Sequence, residues 1–300
     1  MAVRNDVNKE ASMWWNTARH DKAWWHSIAK AVLKSGPVLE WCYDLGVREV
    51  TVYAFSIENF KRSPDEVGGL MKLAEEKFAK LLEEKEKLEE KQISFRFFGN
   101  IALLSPRLRK LIAQIELKTK DYDNGIVNVC MPYTARDEIA RAFELVRIGK
   151  EKGLLEENQI SEWLLSRCLD SRQGTEPSIL IRTSGEKRLS DFLLWQCSCS
   201  HIYFDDVLWP EFNYSHLCRA IISYQYHGSA LQVVFMVLVA KTVFVKYTTN
   251  LFVKQIQRSQ DTPEPSEEER LALQPFLDYV DKLHRMTLQK YASQELKVLE

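Results

Sequence analysis

The chain has neither a Gly-x-x-x-x-Gly-Lys-Ser/Thr nor a Gly-x-Gly-x-x-Gly segment, so both glycine-rich phosphate cradles of nucleotide-binding proteins are excluded. It also lacks an excess of either charge: 41 lysine and arginine residues stand against 42 aspartate and glutamate. No global field draws it onto nucleic acid, and any polyanion site must be local. No segment recurs at a fixed period, which excludes solenoid and propeller architectures. The six cysteines, Cys42, Cys130, Cys168, Cys197, Cys199 and Cys218, fall in apolar or strand-like stretches with no secretory signal peptide ahead of them. Reduced thiols in a cytosolic setting are therefore expected. Cys197-Ser-Cys199-Ser-His201 lacks a second ligand pair at zinc-like spacing, which makes metal the minor reading there. The apolar stretch from Ala230 to Val245, interrupted by Gln232 and Lys241, is shorter than the ~20 residues of a spanning helix. It reads as a buried or interfacial helix.

What is present fits one main soluble domain with appendages, at 300 residues, 45% hydrophobic and 28% charged. Residues 1–38 form an N-terminal amphipathic segment, where Trp14-Trp15 and Trp24-Trp25 stand among lysines and histidines. Tryptophan doublets suit a membrane interface and packing against the domain equally. The main domain is expected over 39–226, and a helical tail over 227–300 with a proline-punctuated linker near 261–266.

Within the main domain, strand and helix patterns alternate. Glu49 to Phe55 reads as a buried strand. Ser63-Pro-Asp-Glu66 then has the form of a capping box opening a helix whose apolar face carries Val67, Leu70, Met71, Ala74, Phe78, Leu81 and Leu82. A charged run, Glu83 to Lys91, follows and is expected to be solvated. Further strands are expected at Ile93–Phe98, Ile126–Met131 and Ser178–Thr183, with helices from Ser105-Pro106, about Arg136 and about Ser161. In the tail, Ser266-Glu-Glu-Glu269 begins a last helix carrying Leu271, Phe276, Val280 and Leu283. The alternation predicts an α/β domain built on a parallel sheet covered on both faces. Ligands of such sheets bind beyond the carboxyl ends of the strands.

Two stretches lie at such ends: Phe55-Ser-Ile-Glu-Asn-Phe-Lys-Arg62 and Ile181-Arg-Thr-Ser-Gly-Glu-Lys-Arg-Leu-Ser190. Arg182 and Arg188 offer planar forks of donors, and Ser190 adds a hydroxyl; together they suit the oxygens of a diphosphate. Arg62 offers a third guanidinium from the neighbouring strand end. Ser56 and Asn59 are short, neutral groups able to orient a phosphate or pass a proton. Taken singly, each arginine suits a surface ion pair and Asn59 a turn cap.

Taken together, Phe55–Arg62, the run from Arg182 to Gln196, Asp206-Val-Leu-Trp-Pro-Glu211 and Asn128-Val-Cys-Met-Pro-Tyr133 with Arg136 and Glu138-Ile139 resemble the cis-prenyltransferases over about Leu39 to Gln225. The resemblance implies an enzyme that adds isopentenyl diphosphate units in cis to an allylic acceptor such as farnesyl diphosphate, assisted by Mg2+. The product would be the long polyprenyl diphosphate precursor of dolichol for protein glycosylation. It further implies Asn59 as the proton-handling residue and Ser56, Glu58, Phe60 and Arg62 around the allylic substrate, with Glu66 supporting them. Arg182, Arg188 and Ser190 would hold isopentenyl diphosphate. The apolar faces from Val67 to Leu82 and from Leu108 to Ile115 would be tunnel lining or ordinary core. A partner subunit like the Nogo-B receptor, peripheral membrane contact and the cytosolic face of the endoplasmic reticulum are implied as well.

The pattern departs from the family at its start. There a first strand ends in Asp-Gly-Asn-Arg-Arg, whose aspartate binds the metal, whereas no glycine of this chain follows an aspartate. The sequence therefore predicts a domain lacking its first strand and helix, with a gap near Val38 and Leu39 and no metal ligand. A glutamate of bacterial relatives is replaced by His201, and no C-terminal Arg-x-Gly is present. The alternative function is a catalytically impaired diphosphate-binding or regulatory subunit.

Overall fold

The computed structural model describes residues 2–4, 35–227 and 265–294. The tryptophan doublets and the Ala230–Val245 stretch lie outside the described residues. Among the described residues no helix is long and apolar enough to cross a membrane.

Strands and helices follow in the order β1 (Ala2–Arg4), α1 (Ser35–Asp44), β2 (Glu49–Tyr53), α2 (Pro64–Glu83), α3 (Lys85–Lys91), β3 (Ile93–Phe98), α4 (Pro106–Thr119), β4 (Gly125–Cys130), α5 (Ala135–Glu151), α6 (Glu162–Ser166), β5 (Ile179–Arg182), β6 (His201–Phe204), α7 (214–227) and α8 (Glu267–Ala292). The six strands form one sheet in the order β3-β4-β2-β1-β5-β6, and every pairing is parallel.

The expected vacancy in this sheet is filled. Ala2 to Arg4 run between β2 and β5, with Arg4 opposite both Tyr53 and Arg182. A parallel sheet without its middle strand would leave two rows of buried backbone groups unpaired, and even three residues relieve that cost. Ser35 to Asp44 form one helix, α1, which runs through the expected gap near Val38 and Leu39, and its Val38 and Cys42 pack against Val50, Ile179 and Ile181.

Alternation along the strands divides the core. Ile179 and Ile181 face α1 and α7, and Val127 and Val129 face α2 and α4, whereas Tyr53, Cys130 and Leu180 face the start of α5 and the 189–197 segment. Leu108, Ile112 and Ile115 are fully enclosed, so this face of α4 is core. The apolar side of α2 is half-buried against it.

Sequence signals mark most helix starts. Ser105 and Ser63 each accept the N–H three residues on and are followed by proline. The reciprocal half of the box at Ser63 is absent because the Glu66 carboxylate pairs with Arg62 instead. The charged run beyond α2 is helical in α3, where Leu88 is buried among exposed charges. Helix α8 is capped by Ser266 and Glu269 reciprocally, yet buries Leu273 and Leu288 beside Phe276 and Val280, leaving Leu271 exposed and Leu283 at the surface. It crosses from α5 to α4 past the β3 edge, whose outward Phe95 and Phe97 N–H groups are taken by Thr119 Oγ1 and Glu116 Oε2. His284 Nε2 meets the other oxygen of Glu116 at 2.8 Å.

Candidate active site

Because β1 separates β2 from β5 and Arg4 is opposite both Tyr53 and Arg182, the two stretches leave the sheet side by side, roughly 10 Å apart. Both lie at the carboxyl ends of their strands.

The first stretch is a 3-10 turn, Ile57–Lys61, capped by Ser56. Ser56 Oγ accepts the Glu58 N–H, while Asn59 Oδ1 accepts the Ser56 N–H at 2.9 Å. Asn59 is buried, so its amide plane is set by the backbone it caps. Phe60 packs edge-on against Phe55 at 5.0 Å and stays partly exposed. Arg62 and Glu66 form a largely buried ion pair. Glu58 is at the surface against Lys61, whose hydrogen bond and charge hold its carboxyl below the usual range.

The second stretch follows β5. Arg182 is fully enclosed, and its Nη1 donates to Ser190 Oγ at 3.1 Å. Arg188 is exposed beside Glu186. Backbone bonds from Ser184 to Val207 and from Gly185 to Asp205 pin the loop to the segment after β6. Among the described residues five non-glycines have positive φ, and four of them, Ser184, Ser190, Asp191 and Leu193, are in this loop. Strain of that kind persists only where surrounding contacts over-determine it, and it concentrates at functional sites.

The structure thus brings Ser56, Asn59, Arg62, Arg182 and Ser190 to one end of the sheet, with Glu58, Phe60 and Arg188 at its rim. His201 is elsewhere: it pairs with Ile179 at the amino end of β6, with Nε2 3.0 Å from Ser223 Oγ and its ring stacked on His227. Burial and the neighbouring His227 charge lower its pKa. A cavity of about 210 Å3 lined by Trp163, Arg167, Trp195 and Gln196 lies among residues that precede β5 and β6, and none of the candidate site residues lines it.

A buried polar network under the site was not legible beforehand. Glu138, on the first turn of α5, accepts from Tyr133 Oη at 2.6 Å, from Gln196 Nε2 at 2.9 Å and from the Asp170 N–H at 2.9 Å. Asp170 accepts the Gly99 N–H and both Nη groups of Arg141. Burial first, and the Asp170 charge second, push the Glu138 carboxyl up to about 7. The Arg141 fork and the Gly99 N–H hold the Asp170 carboxyl low despite its burial. One carboxylate takes the cation and the other bears the like-charge cost.

A raised acid contributes stability that is full below its unfolded pKa and lost as pH rises through the folded one. Between pH 5 and about 8 Asp170 stays ionised folded and unfolded, so the Glu138 effect dominates there and is worth up to roughly 3 kcal/mol. Calorimetric unfolding should show the unaltered protein losing stability from pH 6 to 8 relative to Glu138→Gln. Parallel curves for the two would refute the assignment.

Among the described residues no group of three or more histidine, cysteine, aspartate or glutamate side chains could hold a metal ion. Strand β1 ends in Arg4. At this end of the sheet the carboxylates of Glu58 and Glu66 are engaged by Lys61 and Arg62, and the guanidinium and hydroxyl donors are of the kind that suits diphosphate oxygens.

Residues 14–230 match the family described as "Putative undecaprenyl diphosphate synthase". The chain is 52% identical over 199 residues to the dehydrodolichyl diphosphate synthase complex subunit DHDDS of Homo sapiens, covering 66% of this chain and 60% of that protein. It is 40% identical over 207 residues to a tritrans,polycis-undecaprenyl-diphosphate synthase (geranylgeranyl-diphosphate specific) of Pyrococcus horikoshii, covering 69% and 78%. The solved structure of lavandulyl diphosphate synthase from Lavandula x intermedia, in complex with dimethylallyl diphosphate, superposes with a TM-score of 0.67 at 27% identity, covering 74% of this chain and 93% of that one. The chain spans about 60% of the length of its human and mouse relatives. With a family match over most of its length and the same parallel-sheet fold, the chain belongs to the undecaprenyl diphosphate synthase family of cis-prenyltransferases.

Proposed function

We propose that the chain joins isopentenyl diphosphate to an allylic diphosphate such as farnesyl diphosphate, extending a cis-polyprenyl diphosphate of the dolichol precursor type. The observation that carries this is the side-by-side emergence of the Ser56–Arg62 and Arg182–Ser190 stretches from strands flanking β1. Arg182, Arg188 and Ser190 hold isopentenyl diphosphate. Ser56, Glu58, Phe60 and Arg62 surround the allylic substrate, with Glu66 fixing the Arg62 guanidinium.

In the reaction the allylic C1–O bond breaks and diphosphate leaves with the electron pair. The new bond forms between C1 and the terminal alkene carbon of isopentenyl diphosphate, positive charge develops on the internal alkene carbon, and loss of a proton from the CH2 between that carbon and the CH2–O group gives the cis double bond. Arg62 stabilises charge developing on the leaving diphosphate. Asn59, a neutral amide, cannot keep the proton and can only pass it on, so the proton ends on released diphosphate or solvent. Mg2+ carried in with the diphosphates would neutralise part of their charge. The half-buried apolar side of α2 offers surface for the growing hydrocarbon. Association with a partner subunit resembling the Nogo-B receptor, at the cytosolic face of the endoplasmic reticulum, belongs to the same reading.

The direct test is incorporation of labelled isopentenyl diphosphate onto farnesyl diphosphate, with and without the partner subunit, followed by chromatography of the lipids. Long cis-polyprenyl products are expected. Diphosphate binding without any incorporation in either arm would favour a non-catalytic subunit instead.

A further inference from the structure

We propose that Glu138 is a positioning residue that anchors both diphosphate-binding stretches to one buried carboxylate and so sets their separation, an inference that rests on the functional reading above. The Tyr133 backbone holds the first stretch: its N–H donates to Phe55 O, its carbonyl accepts the Ile57 N–H and, at 2.8 Å, the Tyr53 hydroxyl, and it forms a bridge with Ser56. Its side chain is fully buried and ends on Glu138 Oε2. The second arm reaches the same oxygen from Gln196, which closes the segment behind Ser190 in which Phe192 and Leu193 are buried. Phe192 stacks on Tyr53 at 4.7 Å, so the two arms also touch each other. A third bond, from the Asp170 N–H to Oε1, fixes the carboxylate to a segment held by Gly99 and Arg141.

The first turn of α5 carries an outer tie as well. The Ala135 N–H donates to Asp191 O, and Arg136 N–H and Nε donate to the Asp191 carboxylate. Arg136 is largely exposed, so this tie is screened and weak. The inner pin, dry and triply bonded, is the stronger determinant of geometry. All three groups donate to Glu138, two of them to Oε2, so an amide in its place keeps its oxygen on the Asp170 N–H and turns its N–H2 toward Tyr133 Oη, a hydroxyl that can also accept, and toward Gln196. Gln196 Oε1 is buried with no hydrogen-bond partner, and by turning its amide Gln196 can accept from that N–H2. Glu138→Gln therefore keeps both arms, whereas Glu138→Ala drops both.

The test is titration calorimetry on the full chain with isopentenyl diphosphate and, separately, farnesyl thiodiphosphate, an allylic analogue with a poor leaving group. Glu138→Ala should weaken both ligands at least about tenfold, with Glu138→Gln recovering most of the loss. Tyr133→Phe should weaken the allylic analogue by about fivefold and leave isopentenyl diphosphate within about twofold, and Gln196→Met should do the reverse. This crossed pattern is one that a merely structural role would not produce, and it stands even if Glu138→Ala fails to fold. Single-arm variants that bind both ligands as the unaltered chain does, or weaken both alike, overturn the inference. An unaltered chain that binds neither ligand overturns the functional reading, and the inference with it.

Discussion

Arg182→Ala is expected to weaken isopentenyl diphosphate binding by about a hundredfold, which corresponds to about 3 kcal/mol. The guanidinium is fully enclosed at the end of β5, with one nitrogen on Ser190 Oγ. It is therefore already desolvated and oriented before a ligand arrives. A diphosphate that reaches Ser190 meets a pre-ordered fork in a low-dielectric setting, where charge-assisted hydrogen bonds are strongest. Arg182→Lys keeps the charge but loses the planar fork, and should recover only part of the affinity. Arg188 starts from a different state. It is exposed and paired with Glu186, so a ligand must first draw it away from a screened partner, and Arg188→Ala should cost about tenfold. Calorimetric titration of the three variants, each with an unchanged circular dichroism spectrum, gives the order. Equal affinities for Arg182→Ala and the unaltered chain would remove the diphosphate site from this loop.

How far such a site can be read from sequence depends on whether its parts are local. The helix starts at Ser63, Ser105 and Ser266 were legible because each is marked within a few residues of sequence, whereas the reciprocal half of the box expected at Ser63 was lost to the Arg62–Glu66 pair. The two strand-end stretches were legible for the same reason. What escaped was set by tertiary partners. Strand β1 has three residues, too few to show a period, and only its neighbours β2 and β5 make it a strand. In α8 both Leu271 and Leu273 suit a helical stripe, and the position of α5 decides that Leu273 is buried. The helix α3 hides in its charges because a single leucine, Leu88, gives it a buried side. Glu138 and Asp170 are 32 residues apart, and nothing in either neighbourhood announces that they share one dry site. The family resemblance supplied Tyr133, Glu138 and Gln196 as parts of its motifs; Asp170 and Arg141, and the bonds that join all five, came from the fold alone.

Phe276→Ala is expected to destabilise the protein by about 3–5 kcal/mol, among the largest effects a single truncation can have. Phe276 is fully buried in the cluster formed by α5, α6 and α8. Its ring occupies the space a side chain at residue 149 would need: a Cβ added to Gly149 would be 2.4 Å from the Phe276 ring. Gly149 is in the last turn of α5, still within the helix, where glycine costs up to about 1 kcal/mol relative to alanine. Gly149→Ala would gain that propensity and lose the seat for the ring, and a contact that short leaves the ring no option but to move. The substitution should therefore destabilise despite better helix propensity. The consequence extends beyond packing, because α8 also holds Arg172 through Asp281 at 3.0 Å, and Arg172 begins the segment that runs into β5 and Arg182. Denaturant unfolding measures the loss, and hydrogen exchange locates it. Fast exchange in α8 and in residues 169–178 of Phe276→Ala, with β2 and β4 still protected, would show that the tail helix braces the diphosphate loop from behind. A change below about 1 kcal/mol would mean that α8 contributes little to the fold.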